Sequence, residues 1–247
     1  MSTTIVEYMD RPAWHERVNG ALMGVMSSQA FTAGCLAALS DDRLRQCTAE
    51  SLGSAFLKCA SLGLHPGPQQ LVSLIPRRGE VTVMLGWRGI ACLFQRLPHV
   101  LDVTAVLVHI DDPFSIDAAG QVQHQRDPFD REVTSPDNCR GGYLRIEHTD
   151  GRVKYHVTSV RKINENKQAA GNSSVWRTYF APMALKTIYR DAWARAAVSF
   201  EPSGPQAQHI LAAELHEREV NDESPARVNA PQAATSPATA AISYTEP

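Results

Sequence analysis

Apolar positions recur at helical spacing from Thr48 onward, where Leu52, Ala55, Phe56, Cys59 and Ala60 mark one face of a helix. Thr48 is placed to cap its start, and Gly63 to end it before Pro66-Gly67-Pro68. The pattern then shifts to short strand-like runs at 71–75 and 81–85. They are joined by Pro76-Arg77-Arg78-Gly79, which predicts a hairpin with Arg77 and Arg78 at its tip. After Gly86-Trp87-Arg88-Gly89 a second helical run covers 90–96 and stops at Pro98, and residues 100–110 read as a long strand rich in β-branched residues. Residues 111–140 are polar, with turns at Asp112-Pro113 and Ala119-Gly120. Residues 142–148 and 153–157 form a second hairpin around Asp150-Gly151. Strands cluster instead of alternating with helices, which predicts an α+β fold and not a doubly wound sheet.

The two ends are patterned differently. Residues 1–34 are rich in Ala, Gly, Ser and Met with weak periodicity, and read as a loosely held arm or short helices. Residues 206–220 suit one short acidic helix around Ile210, Leu211 and Leu215. Residues 221–247 place Pro225, Pro231, Pro237 and Pro247 among Ala, Ser and Thr, with too little apolar surface to offset ordering entropy, so disorder is expected there. The division expected is an arm over 1–34, a core over 35–200 and an acidic, low-complexity tail over 201–247.

Charge changes this picture only when taken by region. The net charge of −2 over 247 residues hides −2 in residues 1–57, +5 in 58–200 and −5 in 201–247. From Arg152 to Arg195, nine basic residues (Arg152, Lys154, Arg161, Lys162, Lys167, Arg177, Lys186, Arg190, Arg195) face only Glu165 and Asp191. Such an excess is either a polyanion-binding surface or a solvated face neutralised from elsewhere in the fold. Five cysteines without a C-x-x-C pair argue against a disulfide scaffold or zinc ribbon and for reduced, buried thiols. No apolar run approaches the roughly 18 residues of a membrane helix, and the opening MSTTIVEYMD lacks signal-peptide character. A soluble cytoplasmic protein without a membrane partner is expected.

Residues 176–198, taken as one helix at about 100° per residue, align Trp176, Phe180, Met183, Thr187 and Ala194 on a core stripe. Tyr179, Lys186, Arg190 and Trp193 fall on the adjacent stripe. Lys186 and Arg190 repel at i,i+4 unless an anion sits between them, and phosphate is such an anion. Aromatics interleaved with cations match single-strand nucleic-acid surfaces, although Tyr179 and Trp193 also fit the edge of a core. Pro182 either kinks this helix or marks where its second half starts.

Other chemistry is sparse. The sequence has no G-x-x-x-x-G-K-[ST] and so no P-loop for nucleotide hydrolysis. His109, Asp111, Asp112 and His124 offer Mg²⁺ or Mn²⁺ ligands for a nuclease, against the plainer reading of Asx turns and a surface or hydrogen-bonded histidine. Asp137 with Glu165-Asn166-Lys167 is a weaker nuclease pattern, because that chemistry wants its Glu and Lys on a strand.

Several blocks together resemble the RecT family of phage and prophage single-strand DNA annealing proteins. They are Ser51 with Ala60-x-Leu62-Gly63-Leu64-x-Pro66, then Leu74-Ile75-Pro76 followed by Gly86-Trp87-Arg88-Gly89, then Val108 to Phe114 with Gly120 and His124. The most specific is Trp176-x-x-x-Phe180-x-x-Met183-x-x-Lys186-Thr187. Pro182, Trp193 and Phe200 depart from the family's usual residues. The resemblance, over roughly residues 44–200, implies a small antiparallel sheet crossed by a long helix, with an N-terminal helical lobe. It implies ATP-independent binding of single-stranded DNA and annealing to a complementary strand, with no covalent chemistry, no catalytic residues and no cofactor beyond Mg²⁺ as a modulator. Partners implied are single-stranded DNA, the annealed duplex, other copies of the chain in a ring or filament, and a host single-strand binding protein or phage exonuclease. On this footing Arg88, Arg161, Lys162, Lys186, Arg190 and Arg77 are expected at the DNA backbone, and Trp87, Trp176 and Tyr179 as shaping or stacking aromatics. A single-strand binder that does not anneal, or a metal-dependent nuclease, are the alternatives.

Overall fold

The computed structural model describes residues 4–126, 132–171 and 174–196 and, beyond these, residues 209–210, 212–213 and 215–216. Val198, Phe200 and residues 221–247, of which the last were expected to be disordered, lie outside the described residues. The elements, in chain order, confirm an α+β architecture. Helices α1 (Ile5–Met9), α2 (Pro12–Leu22), α3 (Ser28–Ala38), α4 (Asp42–Arg45) and α5 (Ala49–Ser61) precede the hairpin β1 (Val72–Arg77) and β2 (Glu80–Leu85). Then come α6 (Trp87–Gln95), β3 (Val100–His109), β4 (Phe114–Ile116), β5 (Val122–His124), β6 (Cys139–His148), β7 (Val153–Ser159), α7 (Val160–Ala169), α8 (Ser174–Thr178) and α9 (Phe180–Ala196).

Local chemistry explains most of these boundaries. Thr48 accepts a hydrogen bond from the Ser51 N–H and caps α5 as expected. Gly63 follows in the left-handed region at φ 62°. Arg78 and Gly79 both take positive φ, the geometry of a two-residue hairpin turn, and set the register Arg77↔Glu80 through Val72↔Leu85. The main sheet is antiparallel in the order β3-β6-β7, with Ala105 opposite Leu144 and Leu144 opposite His156. Helix α9 crosses its inner face. Ile188 is packed against Gly142, where a Cβ would come within 2.4 Å of the Ile188 methyl, so glycine there is what lets helix and sheet approach. Trp193 meets Phe94 of α6 edge to face at 5.0 Å, which joins α9 to the helical lobe.

Four expectations change. Of the two readings of residues 1–34, short helices hold and the loose arm does not: Met9, Trp14, Val18, Leu22 and Phe31, with Cys35 just beyond, are buried in the same core as α5, α6 and α9. Small residues in α3 weaken the sequence periodicity without weakening the packing, while Pro12 in the first turn of α2 and Ser27 before α3 mark the starts. The polar stretch after Asp111 holds the β4–β5 hairpin. Residues 160–169, given no element from the sequence, form a full helix capped by Ser159 through the Lys162 N–H, so Glu165 and Lys167 are on a helix and not on the strand a nuclease pattern wants. Finally, the acidic region after residue 200 contributes to the core, because Ile210 and Ala213 are buried within it and His209 bonds the Ala21 carbonyl at 3.0 Å. Leu215, expected on the apolar face of this segment, is exposed, and Leu211 lies outside the described residues.

Candidate nucleic-acid interface

Two glycines fix the start of α6. A Cβ on Gly86 would lie 2.2 Å from the Gln70 carbonyl oxygen, and one on Gly89 would lie 2.1 Å from that of Leu71. The Gly86 N–H donates to the Leu71 carbonyl at 2.9 Å, so the first turn of α6 is seated on the backbone of the strap before β1. Trp87 and Arg88, between the glycines, take fixed positions as a result. The Trp87 ring stacks on Tyr189 of α9 at 5.6 Å with planes 23° apart. The Arg88 guanidinium lies over the Trp87 ring at 5.2 Å and donates to the Gln69 carbonyl at 3.4 Å. Trp87 is half-buried and Arg88 exposed.

Helix α9 supplies the next cations. Lys186 and Arg190 are both half-buried, one turn apart, on the flank of Tyr189. Burial raises the Tyr189 phenol pKa, and its backbone hydrogen bond with Ala105 works against that rise. Asp191 fixes the helix to the sheet: its carboxylate accepts from His156 Nε2 at 2.8 Å and Thr158 Oγ1 at 3.0 Å on β7, with Arg195 Nε at 3.7 Å. Burial disfavours ionisation of Asp191, yet the hydrogen bonds from His156 and Thr158 outweigh it and hold the carboxyl below the usual range. Helix α7 packs on α9 through the buried Ile163, as well as on β6 and β7, and carries Arg161 exposed and Lys162 half-buried in its first turn. Each of those cations lies 3.8 Å from Glu165, so part of their charge is met locally.

The expected residues are therefore only partly brought together. Trp87, Arg88, Lys186 and Arg190 share the α6–α9 junction, and Arg161 and Lys162 stand on the adjoining helix. Arg77 is exposed at the hairpin tip, five ladder steps or about 17 Å along the strands from the α6 end. The expected single helix over 176–198 is broken: α8 ends at Thr178 and α9 begins at Phe180. Pro182 falls in the first turn of α9, where its missing N–H would have had no intrahelical acceptor. Trp176 is buried in a second core with Ile163, Phe180 and Ala184, which removes it as a stacking surface. Trp193 is core, the core-edge alternative for that residue, and Ala194, expected on the core stripe, is exposed. Tyr179 is 58% exposed. Tyr189 was not singled out from the sequence, although its place between Lys186 and Arg190 was the available signal.

The acids considered for metal chemistry are engaged otherwise. Asp112 is buried, accepts the His109 N–H at 3.1 Å, and pairs with His124 Nε2 at 3.1 Å, while His124 Nδ1 meets the Tyr143 hydroxyl at 3.2 Å. This network holds the β4–β5 hairpin against the outer face of the sheet. Among the described residues no group of three His, Cys, Asp or Glu side chains is placed to hold a metal ion. The five cysteines are free thiols, four of them buried, and burial pushes Cys59 up to about 12. Among the described residues no helix is long and apolar enough to cross a membrane.

The α6–α9 junction sets basic and aromatic side chains together on an α+β core. The chain belongs to the RecT family, whose model matches residues 29–227. It is similar to Protein RecT of Escherichia coli (strain K12), at 23% identity over 212 residues that cover 81% of this chain and 78% of that one. Membership supports a phage-type recombination protein.

Proposed function

We propose that the chain binds single-stranded DNA at the α6–α9 junction and anneals it to a complementary strand without ATP. The observation that carries this reading is the Tyr189–Trp87–Arg88 stack flanked on α9 by Lys186 and Arg190. Annealing brings two polyanions together, so it needs sequence-independent neutralisation of phosphates; base pairing and stacking supply the free energy, and no covalent step is required. Lys186 and Arg190 bridge successive phosphates, which turns their i,i+4 repulsion into attraction for the strand. Arg161 and Lys162 extend the track along α7. Trp87 and Tyr179 offer aromatic surface to unpaired bases. Family membership supports action as an assembly of several copies, with DNA and annealed duplex as ligands.

Salt dependence tests the binding half. Each phosphate contact to a single strand adds about −0.7 to the slope of log K against log salt. The Lys186→Ala/Arg190→Ala double variant should flatten the slope by about 1.4, so that a fourfold rise in salt costs it about sevenfold less affinity than it costs the parent. A double variant with the parent's affinity and slope removes α9 from the interface.

A further inference from the structure

We infer that Trp87 is a shelf for one unpaired nucleobase, covered in the free protein by Arg88, and that an incoming strand opens it by exchanging base for guanidinium. This rests on the single-strand reading above. A ring has two faces. Tyr189, itself buried, stacks on one face of Trp87, and with that face taken we assign the exposed Arg88 guanidinium, 5.2 Å from the ring centroid, to the other. The cover is lightly held: besides the ring, its partner is the Gln69 carbonyl at 3.4 Å, near the outer limit for a hydrogen bond.

The exchange favours the base. An exposed cation over an aromatic face is worth about two- to fivefold in an equilibrium, whereas a stacked base contributes from about fivefold to beyond a hundredfold in affinity. The displaced guanidinium remains one residue from the shelf, within reach of the phosphate that joins the stacked base to its neighbour. Arg88 thus changes from a lid into a backbone contact, and its interaction with the ring is replaced rather than lost. The shelf itself cannot retreat, because Gly86 and Gly89 hold Trp87 against the Gln70 and Leu71 carbonyls with no room for a Cβ. A base already paired in a duplex has its faces stacked on its neighbours and cannot enter. The shelf therefore distinguishes a strand with an unpaired base at this position from one already paired there.

Tryptophan emission reads this directly. The chain has four tryptophans, and Trp14, Trp176 and Trp193 are only 2–3% exposed, so Trp87 alone is placed to respond to a ligand from solvent. The full-length protein is titrated with an oligothymidylate and with an abasic oligonucleotide of equal length and phosphate number, and binding is followed separately by anisotropy of a 5′ dye. The oligothymidylate should quench tryptophan emission; the abasic strand should bind about tenfold more weakly and leave emission nearly unchanged. Arg88→Ala should shift the free protein's emission to the red and raise its quenching by acrylamide. Trp87→Phe should abolish the DNA-induced quenching and weaken binding of the oligothymidylate more than that of the abasic strand. Equal emission changes with both strands when both are bound overturn the shelf and leave the single-strand reading standing. Failure of both strands to bind overturns that reading and the shelf with it.

Discussion

Removing the Asp191 carboxylate should loosen α9 from the sheet. In Asp191→Ala the His156 Nε2 and Thr158 Oγ1 donors lose a charged acceptor that is only 11% exposed, while the longer contact to the exposed Arg195 adds little. A hydrogen bond to a charged group contributes about 1.5–3 kcal/mol, and these two share one oxygen, so the loss should be about 3 kcal/mol rather than twice that. For a folded unit of this size that lowers the melting temperature by about 6–12 °C. The difference should depend on pH in a defined sense. Because the folded state holds Asp191 below its unfolded value near 4, the stabilisation is fully present above that value and is lost as pH falls through the folded one. Scanning calorimetry of parent and variant between pH 7 and pH 3 checks both parts. A loss under about 1 kcal/mol at pH 7, or a gap that does not narrow in acid, would refute the clasp.

Three further outcomes follow from the packing. Ile188→Ala, fully buried against Gly142, should cost about 2–5 kcal/mol in chemical denaturation. Gly89→Ala should cost about 3 kcal/mol and displace Trp87, seen as a shifted emission maximum, since its Cβ would collide with the Leu71 carbonyl. A chain ended after Phe200 should melt at lower temperature than the full chain, because Ile210 and Ala213 leave the core; an unchanged melting temperature would show that the segment contributes nothing to stability.

Much of the middle of the chain was legible from local signals. Thr48, Gly63, the Arg78-Gly79 turn and the strand-like runs on either side each act over a few residues, so sequence alone positions them. What was hidden depends on contacts between distant residues. The N-terminal helices look weak because Ala and Gly carry little apolar contrast, yet Gly53 passes Tyr8 and Gly34 passes His65 at contact distance, and smallness is what their packing uses. Trp193 shares a face of α9 with Lys186, as its spacing placed it, but helix α6 covers that end of the face, so Trp193 meets Phe94 instead of solvent. Of the interface, the Gly86-Trp87-Arg88-Gly89 motif could be seen but its partner Tyr189 could not. Only the crossing of α9 over the sheet sets that ring on Trp87. Trp176 shows the converse, an aromatic in a specific motif whose role is to fill a second core.

Annealing itself is read from the pairing of two complementary oligonucleotides, followed by energy transfer between dyes on the two strands. The full-length protein, at a salt concentration where spontaneous pairing is slow, should raise the pairing rate well above that of free strands with no nucleotide present. With Mg²⁺ or Mn²⁺ added, both strands should keep their full length. Strands that are bound but pair no faster than free DNA would contradict annealing in favour of simple binding. Shortened strands that stay intact on changing Asp111 and Asp112 to Asn would establish a nuclease instead.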